Sequence, residues 1–275
     1  MEITLPFTKY SGSGNDFVIV NNLDGVYTAC QHAECVKMLC DRHEGIGADG
    51  IIFLEQNESD PFIMRLFQPD GLEVEMCGNG MRCLAHYIHS EYGTANPFDI
   101  KTHKTLVSVK VMSKEVAIAM ESAQEEKYNQ TLLVDNKPVS LHSLNTGVPH
   151  AVVFVEDLEN EELMPLAKQI RHHAAFAPQG TNVNFVKITS ASTLAIRSFE
   201  RGVEGETQAC GTGAVAAALS AAKIHGMKGP VTVIPRSKKK LTINFPNPEA
   251  TLTYVTAQGP VRKTFTGVYT LKVPK

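Results

Sequence analysis

The sequence predicts an α/β protein of the α+β type, made of two similar halves. Three observations carry that prediction. Pro and Gly divide the chain into short β-rich runs with only a few helical stretches among them. The runs do not alternate with helices as a doubly wound parallel sheet requires. Glycine-marked motifs recur at one constant offset of 133 residues. A chain of 275 residues is also long enough for two domains and for a core that needs no disulfide or metal staple.

In chain order, β-branched and alternating runs predict strands at Asp16–Val20, Ile51–Leu54, Phe62–Phe67, Leu106–Met112 and Glu115–Met120. The same signals predict strands at Val139–Leu144, His150–Val155, Val183–Thr189, Thr193–Phe199, Val231–Pro235, Leu241–Phe245 and Thr251–Thr256. Apolar residues at helical spacing predict helices over Tyr27–Cys40, Asn79–Tyr92, Glu161–His172 and Thr212–His225. The polar, charged stretch Glu121–Lys137 reads as a linker. Three anchors define the repeat: Gly14 maps to Gly147, Gly47 to Gly180, and Cys77-Gly78-Asn79-Gly80 to Cys210-Gly211-Thr212-Gly213. The halves are expected to be residues 1–126, with Cys77, and 127–263, with Cys210.

The charge balance of −3 points away from nucleic acid and from an anionic membrane surface. No basic-then-apolar leader opens the sequence, and Ala214–Ala222, the most apolar helical stretch, is too short for a membrane span. The six cysteines form no CxxC pair and no zinc-like spacing, so a cytosolic protein with reduced thiols and no metal is expected. Cys30, Cys35, Cys40 and Cys83 read as small core hydrophobes.

Cys77 and Cys210 read differently. Each precedes a helix marked by Met81, Leu84, Ala85 and Ile88, or by Val215, Ala218, Leu219 and Ala222. At a helix N-terminus the dipole and unpaired N–H groups favour a thiolate, and the glycines let a carboxylate approach the backbone. If two such helix starts converge on one small carboxylate, one sulfur removes a proton from its α-carbon and the other returns one on the opposite face. That inverts the centre without a cofactor, and duplication builds it naturally.

The stretches Phe67–Cys83 (FQPDGLEVEMCGNGMRC) and Phe199–Gly213 (FERGVEGETQACGTG) resemble the two signatures of diaminopimelate epimerases. Gly12–Phe17, Asp41–Gly50, Gly147–His150 and Thr181–Phe185 are similar to further blocks of that family, in order, so the resemblance covers nearly the whole chain. It implies that each half is a mixed or antiparallel barrel-like sheet around a central helix, and that the C-terminal strand, 264–275, returns to the first half. It implies interconversion of LL- and meso-diaminopimelate in the cytoplasm by a homodimer, for lysine and peptidoglycan synthesis, with no cofactor. Cys77 and Cys210 would be the acid/base pair, with His150 and Glu200 tuning them. Gly78, Asn79, Gly211 and Thr212 would hold the reacting carboxylate. Asn15, Gln68, Asn182, Glu200 and Arg201 would hold the rest of the substrate, Arg201 as a bidentate carboxylate grip.

The sequence departs from the family pattern at three places. Gln68 stands where an Asn is usual, Val148 where Asn is common, and Gly50 where some members have Gln. Tight recognition of the distal group is what these put at stake. Phe265 matches a dimer-contact aromatic of the family. Three other readings are a proline-type two-cysteine racemase, a hydrolase using Cys210 with His150, and a non-catalytic amino-acid-binding module.

Overall fold

The computed structural model describes residues 2–120, 123–246 and 255–272. The chain divides into two units, Met1–Ile118 with Gly259–Lys275, and Ala119–Gln258.

In the first unit the chain runs β1 (Glu2–Gly12), β2 (Asn15–Asn21), α1 (Ala33–Cys40), β3 (Gly50–Glu55), β4 (Ile63–Phe67) and β5 (Glu73–Val74). It continues through α2 (Gly78–Tyr92), β6 (Phe98–Lys101), β7 (Leu106–Met112) and β8 (Glu115–Met120). Strand β2 pairs antiparallel with β1 and parallel with β3; β4 pairs with β3, and β6 lies parallel to β4. Strands β7 and β8 follow as antiparallel neighbours. The last strand of the chain, Val255–Lys272, closes the ring by pairing with β8 and with β1. The result is a barrel of mixed strands with α2 inside it, packed against β1, β2, β3, β4 and β7. Met81, Leu84, Ala85 and Ile88 are fully buried, as their helical spacing requires. A second cluster lies outside, where Cys35, Val36, Leu39 and Cys40 of α1 meet Val18, Ile51 and Phe53.

The second unit repeats this plan. It comprises β9 (Gln124–Val134), β10 (Lys137–Asn145), β11 (Pro149–Phe154), α3 (Leu163–Arg171), β12 (Asn182–Ser190), β13 (Thr193–Glu200) and β14 (Gly205–Thr207). Helix α4 (Gly211–His225), β15 (Val231–Ile234) and β16 (Leu241–Asn244) follow, and then the start of the last strand, β17 (Val255–Lys272). Strands β9, β10, β11, β12, β13, β15, β16 and β17 pair in that succession, with β11–β12 and β13–β15 parallel. Helix α4 contacts β10, β11, β12, β13, β15 and β16, and Gly213–Ala222 are all buried. A helix apolar all round belongs inside a barrel. Helix α3 covers the outside through Leu163, Ala167 and Ile170.

The repeat anchors share a backbone cause. Gly14 and Gly147 have φ of 107° and 101°, and Gly47 and Gly180 have φ of 75° and 69°. These are left-handed conformations that glycine adopts without a Cβ penalty. Both inner helices also end on a left-handed glycine, Gly93 and Gly226.

Two sequence expectations change. The stretch expected to be a linker, Glu121–Lys137, contains β9 from Gln124 on; Glu121 and Ser122 lie outside the described residues. Its side chains are mostly exposed, so polarity reflects a solvated face rather than irregular backbone. The helix expected over Tyr27–Cys40 is interrupted at His32, which is extended (φ −61°, ψ 138°) between a short 3₁₀ turn, Thr28–Gln31, and α1. The Tyr27 N–H is tied to Asn22 Oδ1 at 2.7 Å, and a fresh helix starts where Val36 N–H bonds His32 C=O. Of the strand expected at Thr251–Thr256, only Val255 and Thr256 are described, and they open β17.

Candidate active site

In the first unit Cys77 is the N-cap of α2, with extended backbone (φ −140°, ψ 119°), and its carbonyl accepts the first helical bond from Met81 N–H at 2.8 Å. Its side chain is half-buried. Asn79 donates to Asn15 Oδ1 at 2.5 Å, and Asn15 in turn donates to Asp49 Oδ2 at 3.2 Å. Asp16 and Asp49 share Arg42 at 2.6 and 2.7 Å, and Asp16 also meets Lys9 Nζ at 2.8 Å. Burial works to raise the Asp16 carboxyl, but Arg42 and Lys9 hold it down at about 2. The β1–β2 turn and the loop before β3 are thereby locked beside the start of α2. Gln68 is exposed in the turn after β4, where its backbone bonds Leu72 and Gly71. Gly50 leaves no room for a larger residue, since a Cβ there would stand 2.9 Å from the Phe67 carbonyl oxygen.

In the second unit Cys210 is the N-cap of α4 (φ −117°, ψ 112°) and its carbonyl accepts from Ala214 N–H at 2.9 Å. Its sulfur lies 3.5 Å from Thr212 Oγ1. Glu200, at the end of β13, hydrogen-bonds both Thr207 Oγ1 and the Cys210 thiol. Burial raises the Glu200 carboxyl above its usual range. Burial and the Glu200 charge push the Cys210 thiol well above 9.0, despite the hydroxyl of Thr212 and the Gly213 N–H. At Cys210, burial and the neighbouring carboxylate work against the thiolate that a helix start favours.

His150, on β11, is buried and sits opposite Asn182 of β12. Its Nδ1 accepts from Asn184 Nδ2 at 3.0 Å, so Nε2 carries the proton. Burial, with Arg201 nearby, depresses it to about 3, so the ring is neutral at ordinary pH. Asn184 also donates to Ala151 C=O and accepts from Ser198 Oγ at 2.9 Å. Its Oδ1 sits where a Cβ on Gly213 would fall. Asn182 Oδ1 accepts from the Arg201 N–H at 2.7 Å, fixing the turn that carries Glu200 and Arg201. A Cβ on Gly211 would meet nothing within 4 Å. Val148 lies half-buried in the Gly147–Pro149 turn.

Within the first unit, Asn15, Gly78 and Asn79 thus gather at Cys77, whereas Gln68 stands apart in its turn. Within the second, Glu200, Gly211 and Thr212 gather at Cys210, and Asn182 sets the turn of Arg201. Sequence reasoning missed two residues. Asn184 lies inside a quoted motif and bridges His150 to α4. Arg82 is a charge on an otherwise apolar helix face, and that misplacement was the available signal.

The fold belongs to a class of two-unit α/β proteins with one helix inside each unit. It is shared with a phenazine biosynthesis protein of the PhzF family from Bacillus anthracis, at 14% identity and TM-score 0.74 over 97% of this chain and 99% of that one. A hydroxyproline epimerase from Agrobacterium vitis has the same fold, at 13% identity and TM-score 0.69 over 98% of this chain and 92% of that one. Within that class, the sequence model of diaminopimelate epimerase matches residues 7–125 and 142–264. Diaminopimelate epimerases of Hydrogenobaculum sp. and Aquifex aeolicus are 36% and 38% identical over 97% and 96% of this chain, and over 99% and 97% of their own lengths. The chain belongs to the diaminopimelate epimerase family, and so is an isomerase.

Proposed function

We propose that the protein interconverts LL- and meso-diaminopimelate with its own thiols as acid and base and no cofactor. One observation carries the reading: each of two alike units starts its inner helix with a cysteine followed by glycine. Cys77 and Cys210 serve opposite faces of the substrate α-carbon. One removes the α-proton while the other delivers a proton to the far face. The backbone N–H groups of Gly78, Asn79, Gly211 and Thr212 hold the adjacent carboxylate, and such donors stabilise the charge that develops as the proton leaves. Glu200 and neutral His150 set the protonation of Cys210, His150 acting through Asn184. Arg201, with Asn15, Gln68 and Asn182, holds the distal amino-acid group.

In this reading the enzyme works in the cytoplasm as a homodimer, whose contact includes the exposed Phe265 and Val268 of β17. It feeds lysine and peptidoglycan synthesis. The test is purified protein given LL-diaminopimelate with no added cofactor. Formation of the meso isomer supports the reading, and inert LL substrate with active proline isomers would replace it by the proline-type racemase.

A further inference from the structure

Arg82 lies one turn into α2 and is completely buried. Its Nη2 donates to Ser13 Oγ at 3.0 Å and to Asn79 Oδ1. Nε and Nη1 have no hydrogen-bond partner among the described residues. Nη1 lies 3.9 Å from the point where a Cβ on Gly78 would stand, so the unpaired edge of the guanidinium abuts the residue that follows Cys77. A buried guanidinium is costly unless an anion compensates it. A helix N-terminus, itself the positive end of a dipole, makes a bare cation worse still and an anion better.

The surrounding groups leave that anion to be supplied at the head of the helix. Asp16, on β2, is already engaged by Lys9 of β1 and by Arg42. Asp49 is engaged by Arg42 and Asn15. Strands β3, β4 and β8 meet the first turn of α2 with Ile52, Met64 and Ile118. Tyr10 pairs with His86 further along the helix, and Lys263 of β17 pairs with Glu91. Cys83, one residue on, is fully buried, and burial holds its thiol neutral. Burial works against the Arg82 charge, and negative charge on a neighbouring sulfur offsets it; with Cys83 held neutral, Cys77 is the one left to supply that charge. The repeat makes the contrast plain, because the position of Arg82 in α4 is Val215. The start of α4 has instead the neutral His150–Asn184–Ser198 network and the Glu200 carboxyl.

We propose that Arg82 is a positioning residue whose buried guanidinium is the counter-ion of the Cys77 sulfur, making Cys77 the thiolate and Cys210 the thiol of the free enzyme. This rests on reading the two thiols as the acid/base pair. One turnover transfers the substrate α-proton to Cys77 and the Cys210 proton to the opposite face of the carbon. The negative charge then sits on Cys210, beside Glu200. Loss of a proton from Cys77 to water and gain of one by Cys210 restore the starting state, and Arg82 biases the pair toward it.

The experiment is brief iodoacetamide labelling of the substrate-free full-length protein across a pH series, with mass spectrometry reading Cys77 and Cys210 separately. Midpoints rather than rates are compared, so differing access to the two sulfurs does not enter. The wild type is expected to ionise Cys77 at lower pH than Cys210. In Arg82→Met the Cys77 midpoint rises by about one unit, an approximately tenfold loss of labelling near neutral pH, while Cys210 does not move. Arg82→Lys, which keeps the charge, restores most of the labelling; a role confined to tying Ser13 to α2 leaves the midpoint where it was. Earlier ionisation of Cys210 in the wild type, or an unmoved Cys77 midpoint in Arg82→Met, overturns the proposal. Should Arg82→Met not fold, the wild-type order and the Arg82→Lys midpoint decide the matter alone. The readout needs no substrate, so the two readings fail separately: a protein inert toward diaminopimelate sinks the functional reading, and an unmoved Cys77 midpoint in an active enzyme sinks only the role of Arg82.

Discussion

At the scale of single residues, the two cysteines at the N-cap positions of the inner helices are set apart from the other four by position rather than by chemistry. Replacing Cys77 or Cys210 by Ala is expected to lower turnover by about 10²–10⁴-fold, the range for removing a positioned acid or base. Cys83→Ala, which alters a fully buried sulfur beside Gly12, should shift stability more than turnover. Steady-state kinetics on the three variants checks this, and near-normal turnover in Cys77→Ala would contradict it. His150 gives a pH prediction. It is depressed from 6.5 to about 3 in the fold, so between those values the unfolded chain binds a proton that the folded protein refuses. Stability from this group is therefore complete above about 6.5 and is lost as pH falls toward 3. Urea unfolding of His150→Gln should show a flatter pH dependence across that window than the wild type. The sequence made the cysteines legible because glycine and helix signals flank them. The tether from His150 through Asn184 to α4 was not legible, since it joins β11, β12 and a helix some 30 residues further on.

At the scale of elements, the first residues of α4 separate packing from function. A Cβ at Gly213 would collide with Asn184 Oδ1, which Ser198 and the Asn184–His150 bond hold in place. Gly213→Ala is expected to cost about 1–3 kcal/mol, the usual range for overpacking. Around Gly211 there is open space, so Gly211→Ala should leave the unfolding midpoint unchanged while raising KM, because the methyl enters the volume meant for substrate. Parallel denaturation and kinetics test both, and a destabilised Gly211→Ala would contradict the assignment of that space. Element legibility followed local signal strength. Strands β7 and β8 coincide with their expected bounds because their alternation is clean and a two-residue turn joins them. Strand β1 escaped notice because Pro6 interrupts its pattern, a residue tolerated where β1 faces Val268 of β17. Strand β17 runs through Gly259 and Pro260, so the strands expected at Thr251–Thr256 and 264–275 belong, where described, to one element.

At the scale of the molecule, the repeat was legible because the same left-handed glycines recur at one offset in both units. Less legible was that the chain's own end closes the first barrel, since strand pairing over some 250 residues leaves no local trace. Removing residues 259–275 would bare the edges of β1 and β8, and open edges of that length aggregate. The truncated protein is expected to be insoluble or to lose cooperative unfolding, read by soluble yield and circular dichroism; a well-folded truncation would contradict the closure. The central claim is that two different sulfurs serve the two faces of one carbon. Its most direct test is a short incubation of either diaminopimelate isomer with the wild-type enzyme in deuterated water, stopped early, with product and recovered substrate analysed by mass spectrometry. The two-thiol account predicts product carrying solvent deuterium at the inverted carbon and recovered substrate still carrying protium. Product that retains the substrate's own hydrogen, or label entering substrate and product alike from the first turnovers, would contradict it.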